Sequence, residues 1–461
     1  MLSPKRMQQL EPVLAWIDAH RESALSHLQQ ICRQPSVAAQ DWGMKEMAKM
    51  VEASLHEIGA ETSLIETDGY PVIVGQLAGD SPRRLAIYDH YDVQPPEPLD
   101  AWSFPPFEAT IHDGHLYARG VADNKGNLVA RLWAARAWRE VYGTLPCHVT
   151  FLFEGEEEVG SPNLGAFAEA HQDLVRADAC LWEAGYRDAS GALHIYAGVK
   201  GILYIELRTR SVAYDLHSSN APLAPNAVWR LIAALNTLRS EDGKILIPHF
   251  YDDIQAPTQR EREVMERFPI NVAALQQNWE STILPGPADE RQISPTERLY
   301  YSPTCNICGI WGGYSGSGSK TIIPATAGVK IDFRLVPQQD PQTILGHLKK
   351  HLQDQGFDDI EVVELEGTEH PGQTPLDTPL MGALIRSART IYGNEPHVQP
   401  RTAGTGPMEA LCQRYGVPAL GGAGVGYNNS RNHAPDENIR VEDFFLSIKH
   451  VAALLAEFAV L

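Results

Sequence analysis

Apolar positions recur at helical spacing through the first sixty residues: Leu10, Val13, Leu14 and Ile17, then Leu25, Leu28, Ile31 and Cys32, then the stretch Met44–Ile58. This spacing predicts helices with one face turned to a core. The period changes after Gly59. Glu61–Glu66 and Pro71–Gln76 read as strands, and Leu85–Tyr88 is a short continuous apolar run that suits a buried strand. Gly114–Gly120 predicts a short hairpin strand, and a helix is expected after Gly126 through Leu128, Ala130, Leu132, Trp133 and Ala137. His148–Glu154 is almost continuously apolar, as parallel strands covered on both faces are. A helix starting at Gly160-Ser161-Pro162 and the apolar run Ala177–Glu183 complete an alternation of strand and helix, which signals an α/β sheet with parallel strands. Binding sites in such sheets form beyond the carboxyl ends of the strands. His90, the run Glu156–Glu158 and Glu183 all fall there.

The pattern differs from Gly198 onward. Gly201–Arg210 reads as a half-exposed strand and Ala227–Arg239 as a helix, followed by a polar, proline-containing tract from Ile247 to Pro303. Then come the short segment Thr321–Pro324, a strand at Gly328–Val336, a helix at Pro341–Gln355 and a strand at Ile360–Glu366. Few strands with two helices predict an α+β domain built on an antiparallel sheet. Gly367–Pro379 holds three prolines and reads as a linker; a helix to Tyr392, Gly- and Thr-rich loops and a closing helix at Val441–Phe458 follow. The expected architecture is α/β. A discontinuous domain, residues 1–200 and 375–461, has a mostly parallel sheet with helices on both faces, and an α+β domain, residues 201–374, is inserted into it.

A chain of 461 residues exceeds one ordinary core, which agrees with two domains. With 38 Lys+Arg against 58 Asp+Glu the net charge is −20, so nucleic acid and anionic membranes are excluded as partners. The first residues lack the apolar region of a secretory signal, and no stretch is apolar for long enough to span a bilayer. Six scattered cysteines fit a reducing cytoplasm. Cys305-Asn-Ile-Cys308 has the spacing of a redox or zinc pair, but no second pair exists and no strand-turn-helix pattern surrounds it, so it reads as two ordinary thiols.

The chemistry gathers at five places. His90 and Asp92 lie two residues apart at a strand end, where alternate side chains point the same way, and a carboxylate that orients a histidine is a common metal-ligand arrangement. Taken alone, the pair reads more readily as a satisfied histidine beside a solvated aspartate, and it is the later carboxylates and histidines in similar settings that change the balance. Asp123 lies between a hairpin and a helix, where it would otherwise be an ordinary helix cap. Glu156-Glu157-Glu158 is either a solvated loop or a cluster whose repulsion needs cations. Glu183 ends an apolar run, and His433 follows a Gly-rich loop. Two histidines with three or more carboxylates and no cysteine suit zinc, or manganese or cobalt, in an open catalytic site. Two such ions bridged by one carboxylate can activate water and polarise a carbonyl, and a spare glutamate beside a ligand glutamate can serve as general base.

Five segments carry a resemblance: His90-Tyr-Asp92-Val-Gln94-Pro95, Arg119-Gly-Val-Ala-Asp123-Asn-Lys-Gly126, Glu157-Glu158-Val-Gly-Ser161, the acid Glu183, and His433-Ala-Pro-Asp-Glu437. In order and spacing they resemble the co-catalytic di-zinc peptidase family of carnosinases, aminoacylases, glutamate carboxypeptidases and succinyl-diaminopimelate desuccinylases, with the carnosinase-like dipeptidases nearest. The resemblance implies that Asp123 bridges two ions, that His90 and Glu183 hold one and Glu158 and His433 the other, that Asp92 orients His90, and that Glu157 is the general base. It also implies that the inserted domain is a lid carrying a homodimer interface. Asp215-Leu-His217-Ser-Ser219 is similar to the family's Asp-x-His-Ser-Gly, with Ser219 in the glycine's place. The matching histidine enters the partner subunit's active site and stabilises the oxyanion. Asp332-Phe-Arg334 resembles the segment whose arginine clamps a substrate carboxylate, Lys320-Thr321 a partner-subunit contact, and Gly404-Thr405-Gly406-Pro407 a substrate cradle.

The expected activity is metal-dependent hydrolysis of an amide bond in small substrates with a free carboxylate, by a dipeptidase or carboxypeptidase. Deacylation of N-acyl or N-carbamoyl amino acids uses the same parts with another leaving group and stays open. A non-catalytic binding protein on the same fold would lack the base or several ligands, and a thiol enzyme built on Cys305 and Cys308 would survive chelation.

Overall fold

The computed structural model describes residues 2–281 and 293–461. Within them the chain forms two compact units. One comprises residues 1–198, 373–401 and 407–461, and the other residues 199–372 with the short loop 402–406.

The first unit is built on an eight-stranded sheet. Its order is Glu61–Ile65, Val72–Leu77, Leu145–Glu154, Gly79–His90, Ala179–Trp182, Ala419–Gly421, His194–Tyr196 and His397–Gln399. The strand Gly79–His90 runs parallel to both of its neighbours, and Ala179–Trp182 runs parallel to Ala419–Gly421. The two strands at the start of the order are antiparallel, as is the contact between Ala419–Gly421 and His194–Tyr196. The apolar run read at Leu85–Tyr88 is the buried end of a strand that begins six residues earlier, where its side chains are half exposed. Helices Gly126–Tyr142 and Val441–Phe458 pack against each other and are buried along nearly their whole length. Their side chains join Leu85, Ile87, Val149, Phe151 and Leu181 in one core.

The second unit holds a four-stranded antiparallel sheet in the order Asn306–Gly312, Thr326–Leu335, Gly201–Arg210, Glu361–Glu364. Strand alternation turns Leu203, Ile205 and Leu207 inward, against Ile331, Phe333, Leu345 and Leu348. Among its described residues, the tract 247–303 contains three helices that its composition concealed: Gln259–Arg267, Val272–Asn278 and Pro295–Tyr301. The first starts with a capping box of Thr258 and Glu261, yet its only buried apolar side chains are Val264 and Met265, so no apolar stripe announces it. The strand Asn306–Gly312 is also unmarked, because it lies at a sheet edge with most residues exposed and shows no alternation. Among the described residues, no helix is long and apolar enough to cross a membrane.

Candidate metal centre

The sheet order brings the chemistry together. Gly79–His90 lies between Leu145–Glu154 and Ala179–Trp182, with His90 in register with Glu154 and Ile87 with Leu181. Parallel strands end on the same side, so the segments that follow these three meet there: Tyr91–Asp92, Gly155–Glu158 and Glu183. His90 is fully buried, with its Nδ1 3.3 Å from an Asp92 carboxylate oxygen. The two oxygens of Asp92 also accept the backbone N–H groups of Glu157 at 3.2 Å and Glu158 at 3.0 Å. One carboxylate thus fixes both the imidazole and the loop that carries the glutamates.

The other ring nitrogen of His90, Nε2, faces three carboxylates: Asp123 Oδ1 at 3.2 Å, Glu183 Oε2 at 3.4 Å and Glu157 Oε2 at 3.9 Å. His433 Nε2 lies 3.3 Å from Asp123 Oδ2 and 3.3 Å from Glu158 Oε2. The two oxygens of Asp123 therefore face two different histidines, each accompanied by a glutamate. That is the arrangement a bridging ligand needs.

Supporting contacts explain why these side chains stay in place. Glu437 is buried and accepts four hydrogen bonds: from Arg119 at 2.7 Å and from the backbone N–H groups of Gly120 at 2.9 Å, Ala122 at 2.9 Å and Asp123 at 3.1 Å. It holds the turn that presents Asp123. Gln94 donates to Glu158 Oε2 at 2.8 Å, Asn432 donates to Asp123 Oδ2 at 3.2 Å, and the Tyr196 hydroxyl donates to the Glu183 carbonyl at 2.6 Å. Arg131 lies under the site, donating to the carbonyls of Tyr88 and Trp182 and pairing with Asp89. Gln94 and Glu437 lie within the motifs read above, where their spacing was visible and their function was not. Arg131 and Tyr196 carry no local signal.

Burial pushes the carboxyl groups of Glu158 and Glu183 up to about 8, and the negative charge of Asp123 adds to it. Burial, then the neighbouring Glu183, raises Glu157 as well. Burial also opposes ionisation of Asp123, but its contacts with His433 and His90 outweigh this and hold it below the usual carboxylate range. Glu158 Oε1 and Glu183 Oε2 are buried and accept no hydrogen bond. Buried carboxylate oxygens that accept no hydrogen bond are costly, and five carboxylates around two imidazoles repel one another. Divalent cations remove both penalties, and the mixed nitrogen and oxygen donors fit such ions. His90, Asp123 and Glu183 would hold one, and Asp123, Glu158 and His433 the other.

The remaining expected residues lie in the second unit. His217 pairs in the strand Leu216–His217 with Ile322–Ile323, and its Nδ1 accepts from the Ser219 backbone N–H at 3.2 Å and lies 2.8 Å from the Ser219 hydroxyl. Ser219 sits there without the positive φ that would call for glycine. The Thr321 carbonyl accepts from the Ser218 N–H at 3.1 Å, which ties that segment to the His217 turn. Arg334 donates to the Thr405 hydroxyl, and its Nε lies 3.8 Å from Asp332. The Cys305–Cys308 segment runs into the edge strand Asn306–Gly312 rather than a turn before a helix, and both thiols are free.

The sequence model for peptidase family M20/M25/M40 matches residues 86–457. The Beta-Ala-His dipeptidase of Homo sapiens is 27% identical over 480 residues, covering 98% of this chain and 93% of its own. The Cys-Gly metallodipeptidase dug1 of Schizosaccharomyces pombe is 29% identical over 363 residues, covering 74% and 75%. Among solved structures, the M20 family metallo-carboxypeptidase Sso-CP2 from Sulfolobus solfataricus is 39% identical with a TM-score of 0.90, covering 95% of this chain and 99% of its own. The family match takes in all five segments that meet at the cluster, and the chain therefore belongs to peptidase family M20/M25/M40, as a metal-dependent hydrolase of peptide bonds.

Proposed function

We propose that this enzyme is a dipeptidase or carboxypeptidase of small peptides, releasing the residue that bears the free C-terminal carboxylate. The observation that carries the reading is Asp123, whose two oxygens face His90 with Glu183 and His433 with Glu158. Relatives named for Cys-Gly and Beta-Ala-His dipeptides, and one named a metallo-carboxypeptidase, act on substrates that share a free carboxylate.

Bound at this cluster, two divalent ions would polarise the scissile carbonyl and acidify water. Zinc suits the donor set, with manganese or cobalt as the other choices. Asp92 keeps His90 Nδ1 engaged, so that Nε2 faces the centre. Glu437 holds the Asp123 turn. Glu157, anchored by its backbone to Asp92, takes the proton from the attacking water and returns it to the leaving amine. His217 accepts at Nδ1, so its neutral ring carries the proton on Nε2 and can donate to the oxyanion of a partner subunit. Arg334, steadied by Thr405, grips the substrate carboxylate.

The homodimer reading rests on the second unit. Its edge strand Asn306–Gly312 exposes Ile307, Ile310 and Trp311, and helix Ala227–Leu238 exposes Trp229 and Ile232. An unpaired apolar edge of this kind invites a second copy. Six free cysteines, with Cys308 exposed, favour a cytoplasmic location. The test is a panel of dipeptides, N-acyl and N-carbamoyl amino acids, assayed with zinc, manganese and cobalt. Turnover of dipeptides well above the others is the expected result; a preference for N-acyl or N-carbamoyl substrates would replace the reading with deacylation.

A further inference from the structure

A second group of converging ligands lies on the first unit and shares no residue with the centre above. Asp188 follows the short strand Tyr186–Arg187, His194 opens the strand His194–Tyr196, and His397 opens the edge strand His397–Gln399, which pairs with it in register. Asp188 Oδ2 lies 3.1 Å from His194 Nε2 and 2.9 Å from His397 Nδ1, and the two nitrogens are 3.2 Å apart. The three atoms form a nearly equilateral triangle. Ligands about 2.0–2.1 Å from a tetrahedral zinc ion stand about 3.3 Å from one another, so the triangle has close to the size of one face of such a site.

Two of the three ligands are also engaged from behind. Asp188 Oδ1 accepts from the Ser190 backbone N–H at 2.8 Å, the Ser190 hydroxyl at 2.6 Å and the Ala192 N–H at 3.1 Å, which leaves Oδ2 turned to the histidines. His194 Nδ1 lies 3.0 Å from the Gln399 side-chain amide nitrogen; with that amide turned over, its oxygen accepts from Nδ1–H and Nε2 is left free for an ion, while the Tyr186 ring stacks on His194 at 4.1 Å between centroids. Ligands held this way from behind are what a preorganised metal site requires. The side chains keep exposures of 18% for Asp188, 10% for His194 and 21% for His397, so an ion can enter from solvent and water can complete its shell.

We propose that Asp188, His194 and His397 form a third cation site, separate from the catalytic pair, which takes one zinc-like divalent ion. The ion ties the edge strand to its neighbour. That strand is three residues long, and its sheet partner in the order is His194–Tyr196 alone, so a crosslink there has a large share of the local stability to supply. The same neighbouring strand carries Tyr196, whose hydroxyl holds the Glu183 carbonyl, so the site braces a strand that supports the catalytic centre without touching substrate.

The test is zinc content. Native enzyme, Asp188→Asn and His397→Ala are stripped with chelator, dialysed against buffered zinc and analysed by mass spectrometry for metal per chain. The proposal expects each variant to hold one equivalent less than the native enzyme and to keep its peptidase activity when both catalytic ions are restored. With cobalt in place of zinc, each variant should lose one tetrahedral visible absorption component. If His397→Ala does not fold, the isosteric Asp188→Asn decides the result. Equal zinc content in native enzyme and variants would overturn the proposal and leave the triad as a hydrogen-bonded strap between strands.

Discussion

His90 in the first unit and His217 in the second are both proposed to serve the reaction, yet the protein holds them differently. His90 is fully buried; Asp92 fixes it from one side, and three carboxylates face it from the other. His217 is exposed; its backbone pairs with Ile322, and its ring is held by Ser219 of its own turn. Asp123 and Arg334 differ in the same way. Four hydrogen bonds to Glu437 hold the turn that carries Asp123, whereas Arg334 is tethered by Thr405 and is 36% exposed. The physical demands differ. Ligands for cations are mutually repulsive carboxylates and must be pinned before the ion arrives. Groups that grip and release a substrate must stay open to it, and they gain their order when it binds.

This contrast predicts that substitutions in the first unit alter metal content or proton transfer, while those in the second alter transition-state or substrate binding with the metals in place. Metal removal should have the largest effect. Dialysis against a chelator should abolish hydrolysis, and zinc, manganese or cobalt should restore it; full activity in metal-free protein would end the assignment. Next comes the pair of adjacent glutamates. Glu157→Gln should lower turnover by roughly 10²–10⁴ with metal content near native, as loss of a general base does. Glu158→Gln should lose metal as well, and exchange of the two phenotypes would reverse the assigned roles.

His217→Ala should lower turnover by roughly 10²–10³ with both metals bound, the size of a lost oxyanion donor. Mixing it with Glu157→Gln under subunit exchange tests the shared site. A heterodimer has one site with both defects and one with neither, so part of the activity should return. No recovery, with exchange shown by tagged pull-down, would place His217 in its own chain's chemistry. The smallest effect is expected at Arg334. Arg334→Ala should raise KM for substrates with a free carboxylate and leave amidated analogues nearly unchanged, through loss of a charge-assisted pair. Equal effects on both would remove Arg334 from substrate binding.

The parts of the fold legible in the chain were those with a full period to display. Val441–Phe458 and Gly201–Arg210 have the bounds that their patterns predict. Strands of three residues, such as Ala419–Gly421 and His194–Tyr196, cannot show alternation, and the helix Gln259–Arg267 buries too few apolar residues to show a stripe. The site divides likewise. His90 with Asp92, and Glu157 with Glu158, were legible because each pair is close in sequence and ends or follows a buried strand.

The sequence by itself determined which residue types are available for metal and proton chemistry, and at which strand ends they lie, because periodicity and short spacings are local properties. Tertiary structure decided their convergence. The order of the parallel strands sets His90, the Glu157–Glu158 loop and Glu183 side by side, and the closing segment brings His433 and Glu437 to Asp123. Tertiary structure also made the Asp188–His194–His397 triangle, since the pairing of two short strands distant in sequence is a cooperative outcome of packing and no local pattern encodes it.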